Sequence, residues 1–341
     1  MTEKTQKIRA VINRAGGPID RPDSLIDAEI PTPAAPIGRD LLVEVRAVSV
    51  NPVDVKVRAS GNRARKDRIL GWNASGTVLA AGDEATLFRP GDEVFYAGSL
   101  DRAGSYASQQ LVDERIVGAK PANLTHAEAA ARPLTAITAW EALFDKLHLT
   151  AETAGTLLVL GAAGGVGSIL IQLAKALTGV TIIATASRPE SRAWVEQLGA
   201  DVVVDHTDLD VARSILKAAP GGVDFVFTAQ SKGRIPLFTK VVRPFGQIVA
   251  IDDERDLDFY ALKDKAISWH WEFMFARPRH GWNLEAQHDL LTRVSKLIDA
   301  GRIRTTLAQT FAPLNATSLR EAHALVETGH VAGKVVVAED A

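Results

Sequence analysis

The spacing of hydrophobic positions changes character along the chain. Between residues 7 and 130, short runs alternate apolar with polar positions and are broken by proline and glycine. KIRAVIN (Lys7–Asn13), DLLVEVRAVSV (Asp40–Val50), GTVLAAG (Gly76–Gly82) and RPGDEVFYAG (Arg89–Gly98) carry this pattern, and SYASQQLVDERIVGAKP (Ser105–Pro121) holds two more such runs. Alternation with β-branched residues predicts short strands, and this many predict a barrel or sandwich. PTPAAPIG, after the first strand, is too rich in proline for a helix interior. From Thr125 the period becomes helical: Thr125 suits an N-cap, Glu128 completes a capping box, and Pro133 divides the stretch into two helices. From Thr156 to about Trp271, continuously apolar runs alternate with amphipathic ones. TLLVL, VTIIATA, DVVVD, VDFVFTA, GQIVAI and AISWHWEF predict six strands, and SILIQLAKALTG, PESRAWVEQLG, DLDVARSILKAA and GRIPLFTKVVRP predict the helices between them. That alternation marks an α/β fold, a parallel sheet covered on both faces. The tail predicts helices over 284–303 and 315–329 and a closing strand, GKVVVAE.

The first of these strand–helix junctions carries chemistry. An apolar strand runs into Gly161-Ala162-Ala163-Gly164-Gly165-Val166-Gly167, and an amphipathic helix starts at once. The spacing is the dinucleotide fingerprint with alanine in its first glycine position. Gly164 lets backbone approach a pyrophosphate, Gly167 lets helix and strand pack closely, and the helix N-terminus offers N–H groups and partial positive charge. NAD enzymes place an acidic residue about 20 residues on, to hold the ribose 2′-OH. Here that position reads Ala186-Ser187-Arg188, with Arg192 beyond. Arg188, Ser187 and Arg192 suit a 2′-phosphate, so the expected cofactor is NADPH.

Composition narrows the rest. A length of 341 residues suggests two domains, and a net charge of −2 gives no argument for a nucleic-acid partner. There is no cysteine, which excludes disulfides, iron–sulfur clusters, a thiolate nucleophile and cysteine-ligated zinc. The charged N-terminus lacks a signal-peptide core, and no apolar run reaches membrane-spanning length. A soluble cytoplasmic protein with no membrane partner is expected.

At this point the chain resembles a zinc-independent medium-chain dehydrogenase/reductase of the quinone oxidoreductase kind, in the group of zinc-type alcohol dehydrogenase-like proteins. The resemblance rests on VSVNPVDVKVR (Val48–Arg58), GWNASGTV (Gly71–Val78), RPGDEV (Arg89–Val94), LTAITAWEAL (Leu134–Leu143), GAAGGVG, LGAD (Leu198–Asp201), SWHWEFMF (Ser268–Phe275) and GKVVV (Gly333–Val337), in the family's order. It implies a GroES-like β-barrel domain over residues 1–127 and 273–341, a Rossmann domain with a doubly wound, six-stranded parallel sheet over 128–272, and a homodimer. The zinc enzymes carry ligands where this chain has Asn51-Pro52-Val53-Asp54, Gly71-Trp72-Asn73 and Arg132-Pro133. No metal is therefore expected, and the chemistry expected is hydride transfer to a quinone, or to an enone, which need no Lewis acid; a cofactor-binding redox sensor is the alternative outside catalysis.

The resemblance also implies site residues. An acceptor pocket is expected between the domains, faced by Asn51 and Asp54. Asn51 is read either as a donor to a substrate carbonyl or as a turn residue before Pro52, and Asp54 as catalytic or structural. Trp72 is read as a pocket wall or core. Trp269, Trp271, Phe273 and Phe275 share one face if their stretch is extended, as pocket lining or as a core seam. Thr138, Thr228-Ala229, Ala250-Ile251 and Lys334 are implied near the cofactor. No histidine is placed as a general acid.

Overall fold

The computed structural model describes residues 6–14, 16–60 and 67–340. Residues 1–5, where the charged N-terminal stretch begins, lie outside them. In chain order the strands and helices are β1 (Lys7–Asn13), β2 (Ile26–Pro31), β3 (Asp40–Val50), α1 (Pro52–Ala59), β4 (Arg68–Ile69), β5 (Ala74–Ala81), β6 (Glu93–Tyr96), β7 (Gln109–Asp113), β8 (Val117–Ala119), α2 (His126–Ala130) and α3 (Pro133–Trp140). There follow β9 (Thr156–Val159), α4 (Gly165–Leu177), β10 (Thr181–Thr185), α5 (Pro189–Gln197), β11 (Val202–Val204), α6 (Val211–Ala218), β12 (Val223–Thr228), α7 (Ile235–Val241), β13 (Val242–Ala250) and β14 (Ser268–Trp271). The last elements are α8 (Ala276–His280), α9 (Glu285–Asp299), β15 (Leu307–Phe311), α10 (Ala316–Glu327) and β16 (Lys334–Ala338). The chain divides into two compact units, one formed by Met1–Leu134 with Phe275–Ala341 and the other by Thr135–Met274.

The first unit is built on β-structure. Its larger sheet runs β15-β16-β3-β5-β6-β8, with β7 also paired to β3, and a smaller one runs β2-β1-β4. β3 shows why these residues choose a strand. Its first half alternates, with Leu41, Val43 and Val45 buried, and from Ala47 to Val50 every residue is buried. One face packs in the first half; in the second, β16 and α2 add cover and both faces do. The tail returns to this unit: β16 pairs antiparallel with β3, and α9 packs on β8.

The second unit is a six-stranded sheet, all parallel, in the order β11-β10-β9-β12-β13-β14. Numbered from β9, that is 3-2-1-4-5-6, the doubly wound dinucleotide-binding order. β9 is central: Leu157–Val159 pair with Ile182–Ala184 on one side and Phe225–Phe227 on the other. With sheet on both edges and helices on both faces, all three residues are fully buried. α4 follows β9 and buries Ile169, Leu170, Ile171 and Leu173, each worth about 1.5–3 kcal/mol of transfer free energy before ordering costs.

Two local expectations meet their physical reason here. Thr125 does cap α2: its hydroxyl accepts from the Glu128 N–H, and the Glu128 carboxylate accepts from the Thr125 N–H. Pro133 does separate α2 from α3. A third expectation is corrected. The helix predicted to run to Pro244 ends at Val241, and Val242 already pairs with Val223 of β12. Burial of Val242 outweighs the helical period, and the shift in register between Val223 and Phe225 accommodates the Arg243-Pro244-Phe245 stretch. The short elements β2, α1, β4, α8 and β15 carried no predicted assignment; too few residues repeat for a period to show.

Candidate functional site

The glycine loop leaves β9 at its carboxyl end. The Leu160 N–H donates to the Phe227 carbonyl at 2.9 Å, tying the loop to β12. Gly161 has φ +73°, a left-handed conformation that favours glycine. Gly164 caps α4 in extended backbone, and the first bond of the helix runs from the Ser168 N–H to its carbonyl at 2.9 Å. The N–H groups of Gly165, Val166 and Gly167 therefore project from the helix end. A Cβ on Gly164 would find the Gly161 carbonyl at 3.3 Å and nothing nearer, whereas a Cβ on Gly167 would stand 2.5 Å from the Ala162 carbonyl oxygen. Gly164 thus keeps an approach open, and Gly167 closes helix against strand. Ala162 is fully buried, while Ala163, Gly164, Gly165 and Val166 are half-buried. The Trp194 indole of α5 donates to the Ser168 hydroxyl at 2.8 Å, which in turn donates to the Ala163 carbonyl at 3.2 Å. That brace joins residues 31 positions apart at its ends and has no local spacing signal.

At the end of β10, Ala186 is buried and Arg188 is exposed as the extended N-cap of α5. The Ser187 hydroxyl stands 3.5 Å from Nε2 of His206, an exposed residue just past β11. His206 is a candidate that spacing did not single out; parallel pairing of β10 with β11 brings it in. Arg192 takes another role. Its guanidinium donates to the carbonyls of Ala186 at 3.2 Å and Val203 at 3.4 Å, so it braces the two strand ends instead of reaching outward as a second cation.

The other strand ends line up along the same sheet edge. Thr228 is fully buried; its hydroxyl accepts from the Gln230 N–H and its carbonyl from the Ile251 N–H, both at 3.1 Å. Ala229 faces Gly161, whose Cβ, if present, would touch it at 3.5 Å. Ala250 is buried and Ile251 half-buried. Both Asp252 oxygens accept from Ser231, at 2.7 Å each, and bind the loops after β12 and β13 together. The Glu272 N–H donates to the Ala250 carbonyl at 3.0 Å, which puts Glu272 at the carboxyl end of β14. Thr138 is buried on α3, and Glu141 follows one turn later in a π-helical segment, Glu141–Lys146. Glu272 and Glu141 are both 5% exposed. Burial, with Glu141 and Asp145 nearby, holds the Glu272 carboxyl well above the usual range.

The first unit holds a different arrangement. Asn51, Asp54 and Lys334 are all buried. Asp54 Oδ2 accepts from the Asn51 backbone N–H at 2.6 Å and from Asn51 Nδ2 at 3.1 Å. Asn51 Nδ2 also donates to the Ser49 carbonyl, at 3.1 Å, and Asn51 Oδ1 accepts from Lys334 Nζ at 2.6 Å. Lys334 further donates to the Val50 carbonyl at 2.8 Å. Both amide hydrogens of Asn51 are therefore committed inside the protein, which favours the turn-and-core role over donation to a substrate carbonyl. Burial pushes the Asp54 carboxyl up to about 6, against the pull of its Asn51 hydrogen bonds and Lys334. Burial pushes Lys334 down to about 8, with Asp54 opposing.

Several aromatic expectations are corrected by packing. Trp72 is fully buried, donates from Nε1 to the Ser99 carbonyl at 2.9 Å, and meets Phe275 edge-on with centroids 6.5 Å apart. It is a core residue of its unit, not an open wall. β14 ends at Trp271, so Trp269, Trp271, Phe273 and Phe275 do not share one extended face. Trp269 meets Trp271 and Phe259 edge-on, at 5.5 and 4.9 Å, and packs on the sheet's hydrophobic cluster, the core-seam reading, whereas Trp271 is exposed. Phe273 lies past the strand and is partly exposed. A Ser75–His126–Glu93 hydrogen-bond chain also exists, at 2.9 and 3.1 Å. Ser75 is fully buried and donates its own hydrogen to the Val94 carbonyl at 2.9 Å, so this is structure and not a nucleophile.

The residues aligned with zinc ligands do not fit a zinc ion. Asn51 is saturated as described, Trp72 offers only a donor, and Asn73 Oδ1 accepts from the Leu134 N–H at 3.0 Å. Among the described residues, no group of three or more histidine, aspartate or glutamate side chains is arranged to hold a metal ion. The glycine loop, by contrast, fits a dinucleotide: the open approach at Gly164 and the projecting N–H groups of α4 are what a pyrophosphate needs.

Comparison with known proteins supports the nicotinamide-binding dehydrogenase fold. Residues 38–129 match the alcohol dehydrogenase GroES-like domain, and residues 198–337 match the zinc-binding dehydrogenase model. A zinc-type alcohol dehydrogenase-like protein of Staphylococcus aureus is 42% identical over 311 residues, covering 89% of this chain and 91% of its own. The human mitochondrial NAD(P)H oxidoreductase RTN4IP1 is 31% identical over 333 residues, covering 87% of this chain and 81% of its own. A Rhizobium etli protein provisionally named a zinc-dependent alcohol dehydrogenase superposes with TM-score 0.93 at 48% identity, over 98% of each chain. With a doubly wound sheet, a dinucleotide loop and relatives matched along most of the chain, the protein belongs to the medium-chain dehydrogenase/reductase family, oxidoreductases that bind a nicotinamide cofactor, among its zinc-type alcohol dehydrogenase-like members.

Proposed function

We propose that the protein is an NADPH-dependent oxidoreductase that passes hydride to a quinone or a similarly activated carbonyl without zinc. The observation that carries this reading is the pairing of an open glycine loop with Ser187, exposed Arg188 and His206 at the end of β10, where NAD enzymes have an acidic residue. The cofactor, when bound, supplies the hydride. The N–H groups of Gly165, Val166 and Gly167 hold the pyrophosphate, and Gly161, Ala163 and Gly164 keep the approach free of side chains. Ser187 and Arg188 receive the 2′-phosphate, with His206 beside them. Thr228, Ala229, Ala250 and Ile251 floor the nicotinamide half. The Asn51–Asp54–Lys334 network is a positioning element, since its polar atoms are spent on one another.

The choice of acceptor follows from the ligand positions. An unactivated alcohol needs a Lewis acid to lower its hydroxyl pKa, and Asn51, Trp72 and Asn73 provide no cage for one. A quinone takes hydride without that help. The reading includes a homodimer acting on small molecules, with no nucleic-acid or membrane partner; among the described residues no helix is long and apolar enough to cross a membrane. NADPH oxidation against quinones, enones and aldehydes, with metal content measured on the same sample, tests it. Quinone turnover with a lower KM for NADPH than for NADH, and no stoichiometric zinc, is expected. Preference for NADH removes the NADPH assignment, turnover of enones alone makes the protein a double-bond reductase, and tight binding without oxidation makes it a cofactor-binding sensor.

A further inference from the structure

The first unit holds a cavity of about 200 Å³, lined by the loop after β6, by β7, and by the stretch from α8 to the start of α9. None of its lining residues belongs to the cofactor site described above. Val112, Ile116, Pro278 and Leu284 give it an apolar wall. The charged side chains that line it are each paired within the protein. Arg102 is bidentate to Asp40, with both contacts at 2.8 Å. Asp113 holds Arg115 at 2.7 Å, and Asp101 faces Arg279 of α8 at 3.4 Å.

One hydrogen-bonding atom is left over. Gln110, on β7, lines the cavity and is 5% exposed. Its Nε2 donates to the Ala103 carbonyl at 2.9 Å. That bond fixes the amide's orientation, because the flipped amide would set oxygen against oxygen. Gln110 Oε1 is buried and has no hydrogen-bond partner in the protein. An amide oxygen taken out of water needs a donor, since burial otherwise costs it the hydrogen bond it had there.

These features select a guest. The paired charges leave no single-sign field to favour an ion. The remaining polar capacity is an acceptor, so the guest must donate. A volume below the roughly 300 Å³ at which sites for drug-sized ligands begin suits one ring. We propose that the cavity binds a small uncharged molecule with an apolar ring and a hydroxyl, whose hydrogen Gln110 Oε1 accepts. A quinone carries only acceptors and does not meet this demand, so the site is distinct from that of the hydride acceptor. The inference rests neither on the cofactor nor on the acceptor's identity.

Phenol and its methyl ether, anisole, present the same ring, but only phenol has a hydrogen to donate. Each is titrated into the full protein while nitrogen–proton NMR follows the backbone around the cavity and the Gln110 side-chain amide. Both should give saturable shifts there, with phenol about five- to tenfold the tighter. Gln110→Leu should reduce phenol to the affinity of anisole and leave anisole unchanged. Leu284→Trp should abolish the shifts for both by filling the cavity with a larger side chain. Absence of saturable shifts at the cavity, equal affinity of the wild type for the two probes, or a preference for phenol that survives Gln110→Leu would overturn the proposal. If Gln110→Leu does not fold, the wild-type preference and Leu284→Trp decide, and phenol shifts that persist in Leu284→Trp count against the site.

Discussion

The glycine loop and the Asn51–Asp54–Lys334 cluster treat their polar groups in opposite ways. The loop leaves backbone N–H groups facing outward at the end of α4, with glycine where a side chain would block them. The cluster buries two charged side chains and an amide and satisfies nearly all of them internally; Asp54 Oδ1 is the atom without a partner. Open polar groups wait for a ligand. Saturated ones position the chain around them. The difference teaches that burial in a family's motif position is not evidence of catalysis: Asn51 stands where a ligand would be expected and has no hydrogen left to offer.

The largest expected effect breaks the closed side of the comparison. Lys334→Met leaves Asp54 as a buried carboxylate without its cation, which costs about 3–5 kcal/mol. The sign with pH follows from Asp54. Its carboxyl already lies at about 6, above its ordinary 3.8, so it weighs against folding increasingly as pH rises from about 4 to 6 and fully beyond. Removing Lys334 raises it further. The variant should therefore be most destabilised near pH 7, where Asp54 is ionised and the wild-type Lys334, itself at about 8, is still charged, and recover toward pH 5, as urea unfolding at the two pH values would show. A loss independent of pH would mean that the two charges are not coupled.

The next effect tests the loop. Gly167→Val forces a side chain against the Ala162 backbone and should cost about 1–3 kcal/mol of stability by overpacking. It should also weaken NADPH by more than about tenfold, because α4 must move away from the strand end; NADPH fluorescence titration beside a thermal melt reads both. Unchanged NADPH affinity would separate the loop from the cofactor. The smallest effect is Arg188→Ser, expected to weaken NADPH about tenfold, a loss of about 1.4 kcal/mol, while leaving NADH within a factor of two. Equal losses for both cofactors would return Arg188 to a general surface role.

These cases also show what could be read from the chain and why the remainder could not. Three kinds of feature were legible because their parts are neighbours in sequence: the strand–loop–helix with its glycines, the Thr125–Glu128 cap, and the continuous apolar strands of the parallel sheet. Local backbone sterics and the side-chain period determine them within a few residues. The helix carried on to Pro244 failed because its own period was overruled by a distant strand that buries Val242. The aromatic run 269–275 failed for a related reason, since alternation holds only while the chain stays in the sheet.

The sequence by itself determined the family, the α/β architecture, the dinucleotide loop and the loss of zinc ligands, all of them matters of residue identity and short spacing. Tertiary structure alone decided which polar atoms are still available. It turned Arg192 to its own strand ends, placed His206 beside Ser187, and spent Asn51 on a lysine 283 residues away. The physical reason is the same in each case. A hydrogen bond or a shared proton depends on distances of about 3 Å between atoms that only the folded chain brings together.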